Sequence, residues 1–92
     1  MLPTRLERLL NSVGKEVFVR YFDSFQDFTR SNEEVAGFLP ERYTLHSRRS
    51  RTSTARRVIR EGLSREALEL ISSSDRLDPE TVSEARLLLE RL

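Results

Sequence analysis

The stretch "GKEVFVRYFDSFQDF" constrains the fold more than any other part of the chain. Read by twos, Val17, Val19 and Tyr21 suggest a strand. Read at about 100° per residue, Val17, Phe18, Tyr21, Phe22, Phe25 and Phe28 fall within about 140° of arc, with Arg20, Asp23, Gln26 and Asp27 largely outside it. The helical reading wins. The cluster Phe18, Phe22, Phe25 and Phe28 is therefore assigned to the core, not to a ligand pocket or a base-stacking platform.

Punctuation elsewhere supports the same class. Pro3 opens a short helix lined by Leu2, Leu6, Leu9 and Leu10 and ending near Gly14. "SNEEVAGFLP" carries a capping box, Ser31 with Glu34, an apolar side of Val35, Phe38 and Leu39, and a stop at Pro40. A long helix is expected from about Leu45 to Glu61, closed by Gly62 in a left-handed conformation. Ser64 is expected to cap the next helix, with Ala67, Leu68 and Ile71 inward. Asp78 and Pro79 start the last one, whose buried stripe is Val82, Ala85, Leu88, Leu89 and Leu92. No linker or low-complexity tract interrupts this pattern. The expectation is one all-α domain over residues 1–92, a bundle of five or six helices.

Composition removes several function classes. The 92 residues include no cysteine and one histidine, which excludes disulfides, thiolate metal sites and cysteine nucleophiles and makes a structural zinc site implausible. The longest apolar runs, such as Val17-Phe18-Val19, fall far short of the roughly 20 residues of a membrane span. "MLPTRLERLL" is too charged for a secretory signal, so a cytoplasmic location is expected. Gly14, Gly37 and Gly62 are isolated and form no phosphate-binding loop. His46 lies in no catalytic motif, and Glu33-Glu34 and Glu80-Glu84 are expected to be solvated helix faces. No cofactor, metal or enzymatic activity is expected.

The net charge of +1 conceals a segregation. Arg42, Arg48, Arg49, Arg51, Arg56, Arg57 and Arg60 fall in a stretch without an acid, while the rest of the chain carries nine basic and fifteen acidic residues. With Leu45 at 0° on a wheel, Leu45, Thr52, Ala55, Ile59 and Leu63 form the core stripe, and Arg49, Arg56 and Arg60 fall together at about 20° to 60°, with Ser53 beside them. Guanidinium forks with small hydroxyls between them suit phosphate. Nucleic acid, DNA ahead of RNA, is the expected partner, with Arg42, Arg48, Arg49, Arg51, Ser53, Arg56, Arg57 and Arg60 as its contacts. In a helix-turn-helix reading, "SNEEVAGFL" supports the arginine helix. Ser47, Arg48, Arg49 and Arg51 then face base edges, Arg56, Arg57 and Arg60 bind phosphates, and Tyr43 is placed to stack on a base. "PERYT" is longer than the usual turn in that motif.

Two alternatives stand beside this. The domain's own acids, among them Asp23, Asp27, Glu33, Glu34, Glu66 and Glu69, can neutralise the row. An acidic protein surface can take the place of nucleic acid, and the Leu-rich terminal helices, with Leu87 off its stripe and Leu6 and Leu10 half covered, offer a homodimer interface.

From Arg48 onward the chain also resembles one unit of the tetratricopeptide repeat, a helical-hairpin protein-binding module. Ala55, Ala67 and Pro79 stand at that family's small, small and proline spacings, with Ile71 at a usual aromatic position; Arg51 and Val58 replace its early tryptophan and tyrosine. The resemblance covers about a third of the chain, once, whereas such repeats stack in threes or more. It implies an antiparallel helix pair and a protein ligand.

Overall fold

The computed structural model describes residues 2–92. Seven helical segments make up the fold: α1 (Arg5–Val13), α2 (Lys15–Arg20), α3 (Phe22–Phe25), α4 (Asn32–Ala36), α5 (Leu45–Arg60), α6 (Ser64–Ser72) and α7 (Pro79–Glu90). There is no strand among the described residues. One apolar cluster receives side chains from all seven, from Leu10 and Val13 through Phe18, Phe22, Phe25, Val35, Ala55 and Leu68 to Ala85 and Leu88. α5 runs through the middle, packed mainly on α1 and α4, while α6 pairs with α7 and α2 lies on α7.

The extra segments arise where one long helix was expected. The backbone turns at Tyr21 (φ −108°, ψ 18°), separating α2 from α3, and helix ends altogether at Gln26. Asp27 is the reason it ends there. Its carboxylate accepts from the backbone N–H and hydroxyl of Thr29, a local turn that competes with helix propagation. Phe28 is thereby thrown out of the core, 46% exposed, against expectation. Phe18, Phe22 and Phe25 are buried as expected, with Phe18 edge-on to Phe22 at 5.6 Å.

The caps are mostly as the sequence indicates. Ser31 and Glu34 form the full capping box, Asp78 caps α7 with Pro79 following, and Gly62 closes α5 at φ 75°. Ser64 is a correction: it is the first residue of α6, and the N-cap is Leu63, which has no side-chain bond to offer. Several apolar placements also change. Phe38 follows the last turn of α4 and is 44% exposed, Leu45 is exposed at the start of α5, Leu92 lies outside the buried stripe of α7 at 45% exposed, and Leu10 is fully buried. Pro3 and Leu2 precede α1, which is capped by Thr4 through the backbone N–H of Glu7, so Leu2 is exposed and does not line that helix. No helix among the described residues is long and apolar enough to cross a membrane.

The tetratricopeptide-like pairing is not the one formed. Ala55 and Ala67 are both buried, yet α5 and α6 pack little on each other and the close hairpin is α6 with α7.

Candidate interaction face

A helix whose carbonyls end in the protein interior leaves acceptors without donors at the negative end of its dipole. α1, α3, α6 and α7 all lack a basic residue in their last turn. Arginines from other elements fill that role. Arg51 of α5 donates through NH1 to the carbonyl of Val13, the last residue of α1, at 2.6 Å, and through Nε to Ser47 at 3.0 Å. Arg86 of α7 reaches the carbonyl of Ser72, the last residue of α6, and Arg65 reaches that of Leu92 beyond α7.

Arg56 carries this furthest. Its side chain is among the largest fully enclosed in the protein, with 2% of the residue exposed. Nε donates to the carbonyl of Phe25 (3.1 Å), NH1 to the Arg30 carbonyl and Asn32 Oδ1 (2.9 Å each), and NH2 to the carbonyls of Ser24 (3.4 Å) and Asp27 (2.8 Å). A guanidinium has five N–H groups, and here each has an acceptor. Burial, with Arg60 nearby, pulls its pKa below the usual arginine value. Arginine nevertheless stays protonated at any physiological pH. No donor is left for a phosphate.

The remaining arginines of the stretch divide by direction. Arg49 grips Glu33 of α4 with two bonds, 2.6 and 3.0 Å, and the hydrogen bonds from Arg49 hold that carboxyl below the ordinary carboxylate range. Arg42 and Arg51 both stack on Tyr43, their guanidinium carbons 5.1 and 4.0 Å from the ring centre, and Arg42 also donates to its hydroxyl. Tyr43 thus clamps the chain's own arginines. Arg48 and Ser47 are half-buried on the same inner side as Arg51. Arg48 has its Nε enclosed without a partner. Three of the four residues assigned to base edges, Ser47, Arg48 and Arg51, are thus only partly accessible, and Arg56 is not a phosphate contact. The expected ridge of Arg49, Arg56 and Arg60 is broken, with Arg49 in an ion pair and Arg56 buried.

What remains outward on α5 is Leu45, His46, Ser50, Ser53, Arg57 and Arg60, together with the paired Arg49. Arg57 and Arg60 form no ion pair among the described residues. Arg60 lies over the Phe28 ring at 5.0 Å, and Arg56 contacts the same ring at 5.0 Å. Arg30, bridged to Asp27 and Glu34, lies over Phe38 at 5.2 Å, and its carbonyl is one of the Arg56 acceptors. Phe38, Arg30, Arg56, Phe28 and Arg60 are consequently one connected set of rings and guanidiniums. Sequence reasoning missed Phe28, Phe38 and Arg30 as surface groups. The available signals were Asp27-Phe28-Thr29 as a turn and Gly37 before Phe38-Leu39-Pro40 as a helix end.

Among the described residues, no group of three or more histidine or carboxylate side chains is placed to hold a metal ion. Compared with known protein families, curated proteins and solved structures, the chain finds no match.

Proposed function

We propose that the chain is a non-enzymatic protein-interaction module that meets an acidic partner through Phe28, Phe38, Arg30 and Arg60, with Arg57 beside them. The observation carrying this reading is the pair of phenylalanines left half in solvent, each with an arginine guanidinium about 5 Å over its ring. Aromatic and arginine side chains dominate the energetics of protein interfaces. The guanidiniums of Arg57 and Arg60 have no carboxylate of their own, which favours an acidic surface over a neutral one.

Nucleic acid becomes the second reading. Arg57, Arg60 and the hydroxyl of Ser53, one turn before Arg57, still support a phosphate contact, and an exposed pair such as Arg49–Glu33 is weak enough to be exchanged. With two or three phosphates neutralised, the log–log salt slope on B-DNA is about −2 to −3.

Proximity labelling in the native cell separates the readings. The expected result is a partner labelled by the wild-type chain and lost together by Phe38→Ser and Arg60→Glu, with helicity by circular dichroism unchanged. Unaltered labelling by both variants rejects the face. A mobility shift of unrelated duplex DNA that disappears in Arg57→Gln/Arg60→Gln but survives Phe38→Ser transfers the assignment to nucleic acid.

A further inference from the structure

A groove of about 230 Å³ lies between α2 and α7, lined by the buried Val19 and Leu88 and rimmed by Arg20, Asp23, Glu84, Leu87 and Arg91. Leu87 is 60% exposed although it stands in the body of α7, and Leu92 is exposed beyond the end of the helix. We propose that this face is a self-association site, where α7 packs antiparallel on α7 of a second copy about a two-fold axis passing at Leu87. None of the residues of the basic and aromatic face takes part.

The arrangement of charge selects a second copy as the occupant. A two-fold interface must be complementary to itself. Glu84 lies three residues before Leu87 and Arg91 four after it, so all three share one side of α7. Antiparallel crossing at Leu87 brings Glu84 of each copy against Arg91 of the other, and does so twice. Arg91 is already held on the rim by Asp23 at 2.7 Å, whereas Glu84 forms no ion pair among the described residues. The rim as a whole, Arg20 and Arg91 against Asp23 and Glu84, sums to zero charge. A uniformly acidic or basic partner would meet like charges over half of it. The groove beside Leu87 provides the recess that the leucine of the other copy fills.

Sedimentation equilibrium on the intact chain tests this from ~10 μM to ~1 mM, the range that brackets weak specific association. The expected mass rises from 10.8 kDa toward twice that value. Leu87→Glu is expected to weaken association by about 30-fold or more, the scale of a central interface residue. Glu84→Arg and Arg91→Glu should each be monomeric alone and pair when mixed, because mixing restores both crossed contacts. A residue on a two-fold axis faces its own copy, and the chain has no cysteine. Leu87→Cys is accordingly expected to form a disulfide-linked dimer under mild oxidation, while Arg57→Cys is not. A wild-type chain that stays monomeric at ~1 mM overturns the proposal. So does association untouched by Leu87→Glu, or Leu87→Cys that cross-links no faster than Arg57→Cys.

Discussion

Replacing Arg56 by methionine keeps much of the side-chain length and removes all five of its donors. Four backbone carbonyls between Ser24 and Arg30 then lose a partner at a buried position. A buried acceptor left unpaired costs about 1–3 kcal/mol, so losing several at once is a large share of the roughly 5–15 kcal/mol that holds a domain together. Urea denaturation should show that loss, with Arg56→Lys intermediate because an ammonium has three donors and no planar fork. The reason is positional. The same substitution at Arg57, whose exposed side chain forms no hydrogen bond or ion pair among the described residues, should stay within about 0.5 kcal/mol of wild type. Thr52, four residues before Arg56, is the opposite case. Its hydroxyl is enclosed without a partner, so Thr52→Val, which keeps the shape and removes the orphan oxygen, is expected to raise stability by about 1 kcal/mol in the same assay.

Single positions also decide where helices stop, and two glycines show how different those stops are. Gly62 has φ 75°, and a Cβ there would meet nothing within 4 Å, so Gly62→Ala should cost only the conformational penalty of about 1–2 kcal/mol. Gly14 has φ 91°, and its Cβ would sit 2.9 Å from NH1 of Arg51, the atom that binds the Val13 carbonyl. Gly14→Ala should therefore cost about 1–2 kcal/mol more than Gly62→Ala in thermal denaturation, the worth of a displaced charged hydrogen bond. In an Arg51→Met background that excess should shrink without vanishing, because φ 91°, ψ 120° at Gly14 lies outside the left-handed well open to alanine. Local signals such as the Ser31–Glu34 box, Asp78-Pro79 and Gly62 act within a few residues, which is why they were legible in the sequence. The break at Tyr21 and the exposure of Phe28 were not, because a helical wheel extends a pattern past the turn that Asp27 imposes. The arginine stretch was legible as a charge segregation. Its destination was not, because the carbonyl that Arg51 binds lies 38 residues away and the acceptors of Arg56 lie 24 to 32.

Across the whole molecule, acids tie elements that sequence places far apart. Glu33 joins α4 to α5 through Arg49, and Glu61, at the end of α5, binds Arg5 of α1 with bonds of 2.7 and 2.9 Å. Hydrogen bonds from Arg49 and from Arg5 hold these two carboxyls below their ordinary range, and Thr29 does the same for Asp27. A carboxyl with a depressed folded pKa binds fewer protons folded than unfolded, so stability rises with pH across that interval. The melting temperature should thus be level from neutrality down to about pH 4, where unfolded carboxyls titrate, and fall below it as the folded groups take up protons. Glu33→Gln and Glu61→Gln should each make that acid limb shallower in scans of melting temperature against pH. A steeper fall would contradict the assignment.

The loan of arginine donors from one helix to the carbonyl end of another has a consequence for how the chain can be divided. α1, α3 and α6 each have an end carbonyl bonded by an arginine from a different segment, so none of them could be excised, shuffled or grafted with its end contacts intact. Fragments cut between α4 and α5 would separate Val13 from Arg51 and the 24–30 turn from Arg56, and would regain their helices only on being recombined.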